Sequence, residues 1–406
     1  MKTLKIKIPI ETSLRKKIYD ALQGESVTAI MEMANIYNQP DYLRNALEGQ
    51  SFRVDKRLMS HYYDIFYGVK DRLAYEGDVD FYITSDTAIN AWTVKSHRAG
   101  EPDVVNVNSG LLQLMNDEEL KFVIGHEIGH LINEDTELKN LVSFVFPDET
   151  IMPLALKYKV QLWSQLAELE ADRYGFLACP NIDQCVSAFF KLTTGLNLEQ
   201  INMDIQTLIE SNKERLEYFK SDSGYNSFED HPVNPIRIEA INLFAASIAG
   251  KHTGKKMNEL LDLLAKMPST PVDYYLARFV AAAGLLMANV DNVVTEDEYN
   301  VIIEELSAFQ LFPKEFLEEY VNSGTDLVKE FDEVTKKIME LDASRRPALL
   351  DFLITLAIVD HKIKKTEVET VFNIGVNYLH FSEVEIAQAF AIKVQNEFSP
   401  KMQDIV

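Results

Sequence analysis

The segment His126-Glu127-Ile128-Gly129-His130 constrains this chain more than any other. On an α-helix, two histidines at i and i+4 share one face. Both imidazoles then reach one ion, and the Glu between them projects near an open coordination position. The surroundings predict such a helix. Asn116 followed by Glu119 is an N-cap with an acidic N3 residue. Leu120, Val123 and Ile124 follow on the apolar side, and the pattern ends near Asn133.

A catalytic zinc takes a third protein ligand and keeps a position for water. Glu168, in Glu168-Leu-Glu-Ala-Asp172, is the candidate, on a second long helix predicted over about 154–178. Taken alone, Glu168, Glu170 and Asp172 would read as a solvated acidic face. With two histidines already paired upstream, Glu168 reads as the ligand. Asp172, at i+4 on the same face, reads as the acceptor that fixes a ligand tautomer. A third element is His231-Pro232-Val-Asn-Pro235-Ile-Arg237. Its plain reading is a helix start, with Asn234 capping and Pro235 at N1. Its functional reading puts His231 at a developing oxyanion and Arg237 on a buried carboxylate such as Asp172.

Two strands are predicted, Val79–Ile83 and Asp103–Val107, so the chain reads as mainly α with a small sheet. Residues 1–50 look mostly helical. Their first 20 residues hold six Lys/Arg against Glu11 and Asp20, read as a solvated helix face. Further helices are expected at about 55–75, 198–220 and 235–249, and Pro268, Thr270 and Pro271 mark a boundary. Beyond it, Ala288–Glu298 and Ala357–Glu367 share A-x-V-D-x-x-[VI]-x-x-x-E at an offset of 69. Such a repeat implies two similar helical units in one pseudo-symmetric bundle. The expected domains are an N-terminal helical segment at 1–50, a metal-site domain at 51–267 and an all-α domain at 272–398.

The 406 residues are 47% apolar with a net charge of −23, which excludes a disordered chain and disfavours a nucleic-acid binder. No signal-peptide core or membrane-length apolar run is present; 279–290 and 348–359 read as core helices. Cys179 and Cys185 read as reduced thiols in a cytoplasmic protein, with a local disulfide between them as the alternative. No P-loop, dinucleotide fingerprint or paired CxxC motif competes with the metal reading.

These residues resemble the HtpX-like and CAAX-prenyl-protease family of zinc metallopeptidases over about 79–245. Asn90-Ala91-Trp92, Ser109-Gly110-Leu111-Leu112, His126–His130, Glu168–Asp172 and His231-Pro232…Arg237 occur in the family's order. The resemblance implies a gluzincin fold, with zinc between two helices and a sheet whose edge strand binds extended substrate. Residues 103–108 are the expected edge, and Asn90, Ala91 and Trp92 the expected substrate contacts. It also implies roles for His231 and Arg237 at the site. Departures are Ser164-Gln165, where the family often has Ser-Arg, and Trp92 in place of Phe. Many family members are integral membrane proteins, and this chain is similar to the minimal ones. Residues 272–398 resemble the TerB-like helical domain. Asp291-Asn292 and Asp360-His361 keep its turn aspartate but lack its glycine, and read as turn and cap residues.

The expected function is a zinc endopeptidase acting on peptides or proteins, with Glu127 as general base. The alternative is a metal-binding scaffold or sensor, catalytically weak or gated, acting through the C-terminal domain. Residues 271–406 hold 24 acidic and 12 basic side chains, which suggests a docking role toward a protein partner.

Overall fold

A computed structural model describes residues 6–34, 40–96, 100–148, 152–220, 232–265, 270–288 and 294–400. His231, Asp291 and Asn292 lie outside the described residues. The chain divides into two compact units, Met1–Met152 with Lys159–Lys266 and Pro153–Tyr158 with Met267–Val406.

The first unit opens with three helices, α1 (Pro9–Ala21), α2 (Gly24–Met33) and α3 (Pro40–Gln50). Then come β1 (Ser51–Arg53), α4 (Ser60–Arg72), β2 (Val79–Thr84), β3 (Ala91–Val94) and β4 (Asp103–Asn108). Next are α5 (Ser109–Leu114), α6 (Asp117–Asn133), α7 (Asp135–Val145) and α8 (Leu154–Ala178), which belongs to this unit from Lys159 onward. The unit closes with α9 (Ile182–Thr194), α10 (Ile205–Lys220), α11 (Asn234–Ile248) and α12 (Gly254–Ala265). The helix expected over 198–220 is a 3-10 turn at Leu198–Ile201 followed by α10.

The sheet has four strands where the sequence suggests two, in the order β1-β2-β4-β3. This corrects the expected edge. Residues 103–108 form an interior strand, parallel to β2 and antiparallel to β3, with all six residues buried. Val104, Val105 and Val107 are apolar on both faces, as an interior strand requires. The edge is β3. On one face Phe81, Val105 and Val107 pack with Val123, Ile124 and Ile128 of α6. On the other, Tyr82 and Val104 pack with Leu47 of α3, and Trp92 covers them. Trp92 pairs with Asn106 in register, so its side chain stands on the face away from α6.

Cys179 and Cys185 are both buried free thiols. Asn234 does not cap α11: Val233 holds the cap position, and the Asn234 amide donates to Thr193 Oγ1 at 2.7 Å. Pro235 still occupies the first turn, where its missing N–H costs nothing.

The second unit contains α13 (Pro271–Ala288), α14 (Glu296–Leu306), α15 (Pro313–Asn322) and α16 (Leu327–Leu341). It continues with α17 (Arg346–Val359), α18 (Lys365–Asn377) and α19 (Glu383–Glu397). The repeat is visible as α13-α14-α15 and α17-α18-α19, with α14 and α18 opening at Glu296 and Lys365. Phe279, Ile302, Ile338, Leu353, Val371 and Ile386 share one core, so the described residues of the two apolar stretches, 279–288 and 348–359, contribute to it as core helices. Asp360 is a turn residue: its Oδ1 accepts the Lys362 N–H at 2.9 Å. His361 has a positive φ of 67° and donates from Nδ1 to the Ser399 carbonyl at 2.6 Å. No described helix is long and apolar enough to cross a membrane.

Candidate metal centre

The site begins with how α6 is started and stopped. Asn116 Oδ1 accepts the N–H groups of Glu118 and Glu119, each at 3.0 Å. Glu119 Oε2 accepts the Asn116 N–H at 2.8 Å, closing a capping box. Asp117, Glu118 and Glu119 all face the positive end of the helix dipole. Glu119 is buried and is neutralised by Lys191 at 2.6 Å, with Ser187 donating at 2.6 Å. At the other end Glu134 adopts the left-handed conformation at φ 59°, which turns the chain into α7.

Glycines let α6 approach α8. A Cβ on Gly125 would lie 2.5 Å from Ala178 Cβ and 3.0 Å from Gly175 Cα. The close approach brings the histidine face of α6 against the Glu168–Asp172 face of α8. Among the described residues, His126, His130 and Glu168 form a group whose ligand atoms lie within 4.8 Å of one another. His126 Nε2 is 3.1 Å from His130 Nε2 and 3.4 Å from Glu168 Oε2, and His130 Nε2 is 3.3 Å from Glu168 Oε1. Tetrahedral zinc with bonds of about 2.0–2.2 Å separates its ligand atoms by about 3.3–3.6 Å. The three side chains therefore fit a divalent ion.

The outer ring nitrogens complete the fit. His126 Nδ1 lies 2.9 Å from Asp172 Oδ1, and His130 Nδ1 lies 2.8 Å from Asp135 Oδ2. Each carboxylate accepts Nδ1–H and leaves the Nε2 lone pair for a cation. Burial alone would lower the His130 pKa, but Glu168 and Asp135 outweigh it and push it up to about 10. His126 is raised by Asp172 and Glu168 against the same burial. The pocket thus attracts positive charge. Arg237 balances its other side, with Nη2 3.6 Å from Glu168 Oε2, two hydrogen bonds to Asp172 and a stack over Phe189 at 4.9 Å.

These groups open into a cavity of about 1010 Å³ lined by His126, Glu127, His130, Glu168 and Arg237, with Asn90, Ala91 and Trp92 along one side. Glu127 is 7% exposed, and its carboxylate has no hydrogen-bond or ion-pair partner among the described residues. Arg215, Tyr218 and Phe219 of α10 also line the cavity, and sequence reasoning did not single them out. It also missed Asp135. The available signal was an acidic residue in the first turn of the helix that follows the motif.

The fold and this site place an HExxH helix against a second helix that supplies a third possible metal ligand. Residues 71–244 match Peptidase family M48, and residues 277–391 match Tellurite resistance protein TerB, so an M48 peptidase domain precedes a TerB domain. Over 251 residues the chain is 23% identical to "Plastoglobule-localized metallopeptidase 48, chloroplastic" of Arabidopsis thaliana, covering 59% of this chain and 69% of that protein. It is 45% identical over 60 residues to "Protease HtpX homolog" of Streptococcus uberis, covering 15% of this chain and 20% of the relative. It is 44% identical over 50 residues to "Metalloprotease YcaL" of Escherichia coli, covering 12% and 16%. The last two matches thus span a fifth or less of those relatives. No solved structure matches the chain.

Proposed function

We propose that the chain is a zinc-dependent endopeptidase whose ligands are His126, His130 and Glu168 and whose general base is Glu127. The observation that carries this reading is the convergence of both Nε2 atoms and the Glu168 carboxylate on one point, beside Glu127 in a cavity bordered by a strand edge. Zinc held there supplies Lewis acidity, which acidifies water and polarises a carbonyl.

The chain's own residues do the rest. Substrate adds to the free edge of β3 as an extended strand, so backbone hydrogen bonds along Asn90–Thr93 align the scissile carbonyl. Glu127 takes the proton released when water adds to the carbonyl carbon. It delivers that proton to the amide nitrogen as the C–N bond breaks. Asp172 and Asp135 keep the two imidazoles in one tautomer, and Arg237 holds Asp172. His231 is assigned to the oxyanion, as an extension of the sequence reading.

We keep residues 51–267 as the peptidase domain, 272–398 as the helical domain and 1–50 as an N-terminal helical segment. The acidic helical domain serves as a docking element for a protein partner, and the buried reduced thiols favour a cytoplasmic setting. The scaffold alternative draws no support from the family matches.

The test is Glu127→Gln, zinc-saturated, assayed on a fluorogenic peptide library. The reading expects zinc binding to persist and kcat/KM to fall about 10²–10⁴-fold. Full retained cleavage would remove Glu127 from the mechanism.

A further inference from the structure

Each histidine of the centre is backed by a carboxylate, and each carboxylate by an arginine. Behind His126 stand Asp172 and Arg237, both inside the matched peptidase segment. Behind His130 stands Asp135, and its arginine comes from α1: Arg15 Nη2 donates to Asp135 Oδ1. Arg15 lies well outside residues 71–244.

Arg15 is held in place by groups that themselves face inward. Its Nε donates to Glu11 Oε1 at 3.0 Å, and its guanidinium lies 5.4 Å from the centre of the Trp163 ring. Glu11 is 1% exposed and also accepts the Trp163 indole N–H at 2.9 Å. Upstream, the Ile6 carbonyl accepts from Arg173 at 2.6 Å, and the Ile8 N–H donates to Glu170. Lys7 donates to Asn133 at 2.8 Å. Ile8, Leu14 and Ile18 are buried. The basic N-terminal stretch is therefore only in part the solvated face that its composition suggests. Lys7 and Arg15 turn toward the helices that carry the site.

We infer that Arg15 is a positioning residue for the metal centre, and that the N-terminal helix completes the peptidase site through Asp135 and His130. The inference rests on the reading of His130 as a metal ligand. Asp135 is 1% exposed, and its two carboxylate oxygens are taken by Arg15 and His130. The guanidinium fixes Oδ1, which leaves Oδ2 aimed at Nδ1 and sets the His130 ring toward Glu168. Without it only the His130 contact holds the carboxylate, and the ligand's orientation is less well fixed. Losing such an outer partner weakens metal binding about 10–100-fold.

The test uses the full chain and zinc alone as the probe, with affinity read by competition against a chromophoric chelator. Arg15→Ala is expected to weaken zinc binding about tenfold or more and to change the visible spectrum of the cobalt-substituted protein. Arg15→Lys, which keeps the charge but not the fork, should recover part of the affinity. Leu14→Ala, on the buried face of the same helix, should lower the melting temperature and leave the zinc affinity within about twofold. Wild-type affinity and spectrum in Arg15→Ala would overturn the inference. So would an equal loss of affinity in Leu14→Ala, because α1 would then act only through the fold. If the unaltered chain binds zinc no better than its His130→Ala variant, the ligand reading falls, and this inference falls with it.

Discussion

Arg237 holds Asp172 by two hydrogen bonds, Nε to Oδ2 at 2.9 Å and Nη2 to Oδ1 at 2.6 Å. Asp172 is buried at 2% exposure and Arg237 is largely covered at 12%. Burial pushes the Asp172 carboxyl up, but Arg237 and His126 outweigh it and hold it below the usual carboxylate range. Burial likewise lowers Arg237, and Asp172 more than restores it. The pair is a neutralised unit that carries His126 on the third of its contacts.

Asp172→Asn therefore has two expected effects. It leaves a buried guanidinium without its counter-charge, which costs about 3–5 kcal/mol in denaturant unfolding. It also deprives His126 Nδ1 of its charged acceptor and weakens zinc binding about 10–100-fold. A variant with unchanged stability and unchanged affinity would separate Asp172 from the site.

Gly125→Ala tests the close approach of α6 and α8. The added Cβ would lie 2.5 Å from Ala178 Cβ, so the helices must part. Overpacking of this kind costs about 1–3 kcal/mol. Zinc affinity should fall as well, because His126 and Glu168 sit on the two separated helices. An unchanged melting temperature would show that the contact is loose.

Much of the centre was legible before the fold was known. Asn116 and Glu119 announced the start of α6, and the helix ends at Asn133, where its pattern stops. The second helix runs from Leu154 to Ala178, as periodicity predicts. The reason is local: caps and i, i+4 faces are written within one or two turns. The sheet edge was not legible. β3 has four residues and no alternation, and which strand lies inside depends on pairing across the sheet. Arg15 and Asp135 are 120 residues apart, and no spacing rule joins them. Asn234 carried a cap signal, but its amide found Thr193 instead, a tertiary contact overriding a local preference.

Lys191→Ala addresses the anchoring of α6 on α9. Glu119 is 1% exposed and takes its charge partner from Lys191, which also donates to the Leu114 carbonyl at 3.1 Å. Removing the ammonium strands a buried carboxylate and should cost about 3–5 kcal/mol. Asn116→Ala, which removes only the cap at the same helix start, should cost about 1 kcal/mol. Equal losses in the two variants would contradict a buried ion pair as the stronger element.

Metal removal should cost stability by linkage. Zinc at about a hundred times its dissociation constant stabilises the bound fold by about 2.7 kcal/mol. Calorimetry of the chain with zinc and after chelation should show a lower melting temperature in the second sample. His130→Ala should melt alike in both. A zinc-dependent shift that survives in His130→Ala would place the ion elsewhere.

The measurement that tests the central claim most directly is anomalous diffraction at the zinc edge from crystals of the zinc-loaded chain. The account predicts one strong peak about 2.0–2.2 Å from Nε2 of His126, Nε2 of His130 and a Glu168 carboxylate oxygen, with Glu127 beside it and not bound to it. A peak away from these three side chains, or none at full zinc occupancy in solution, would contradict it.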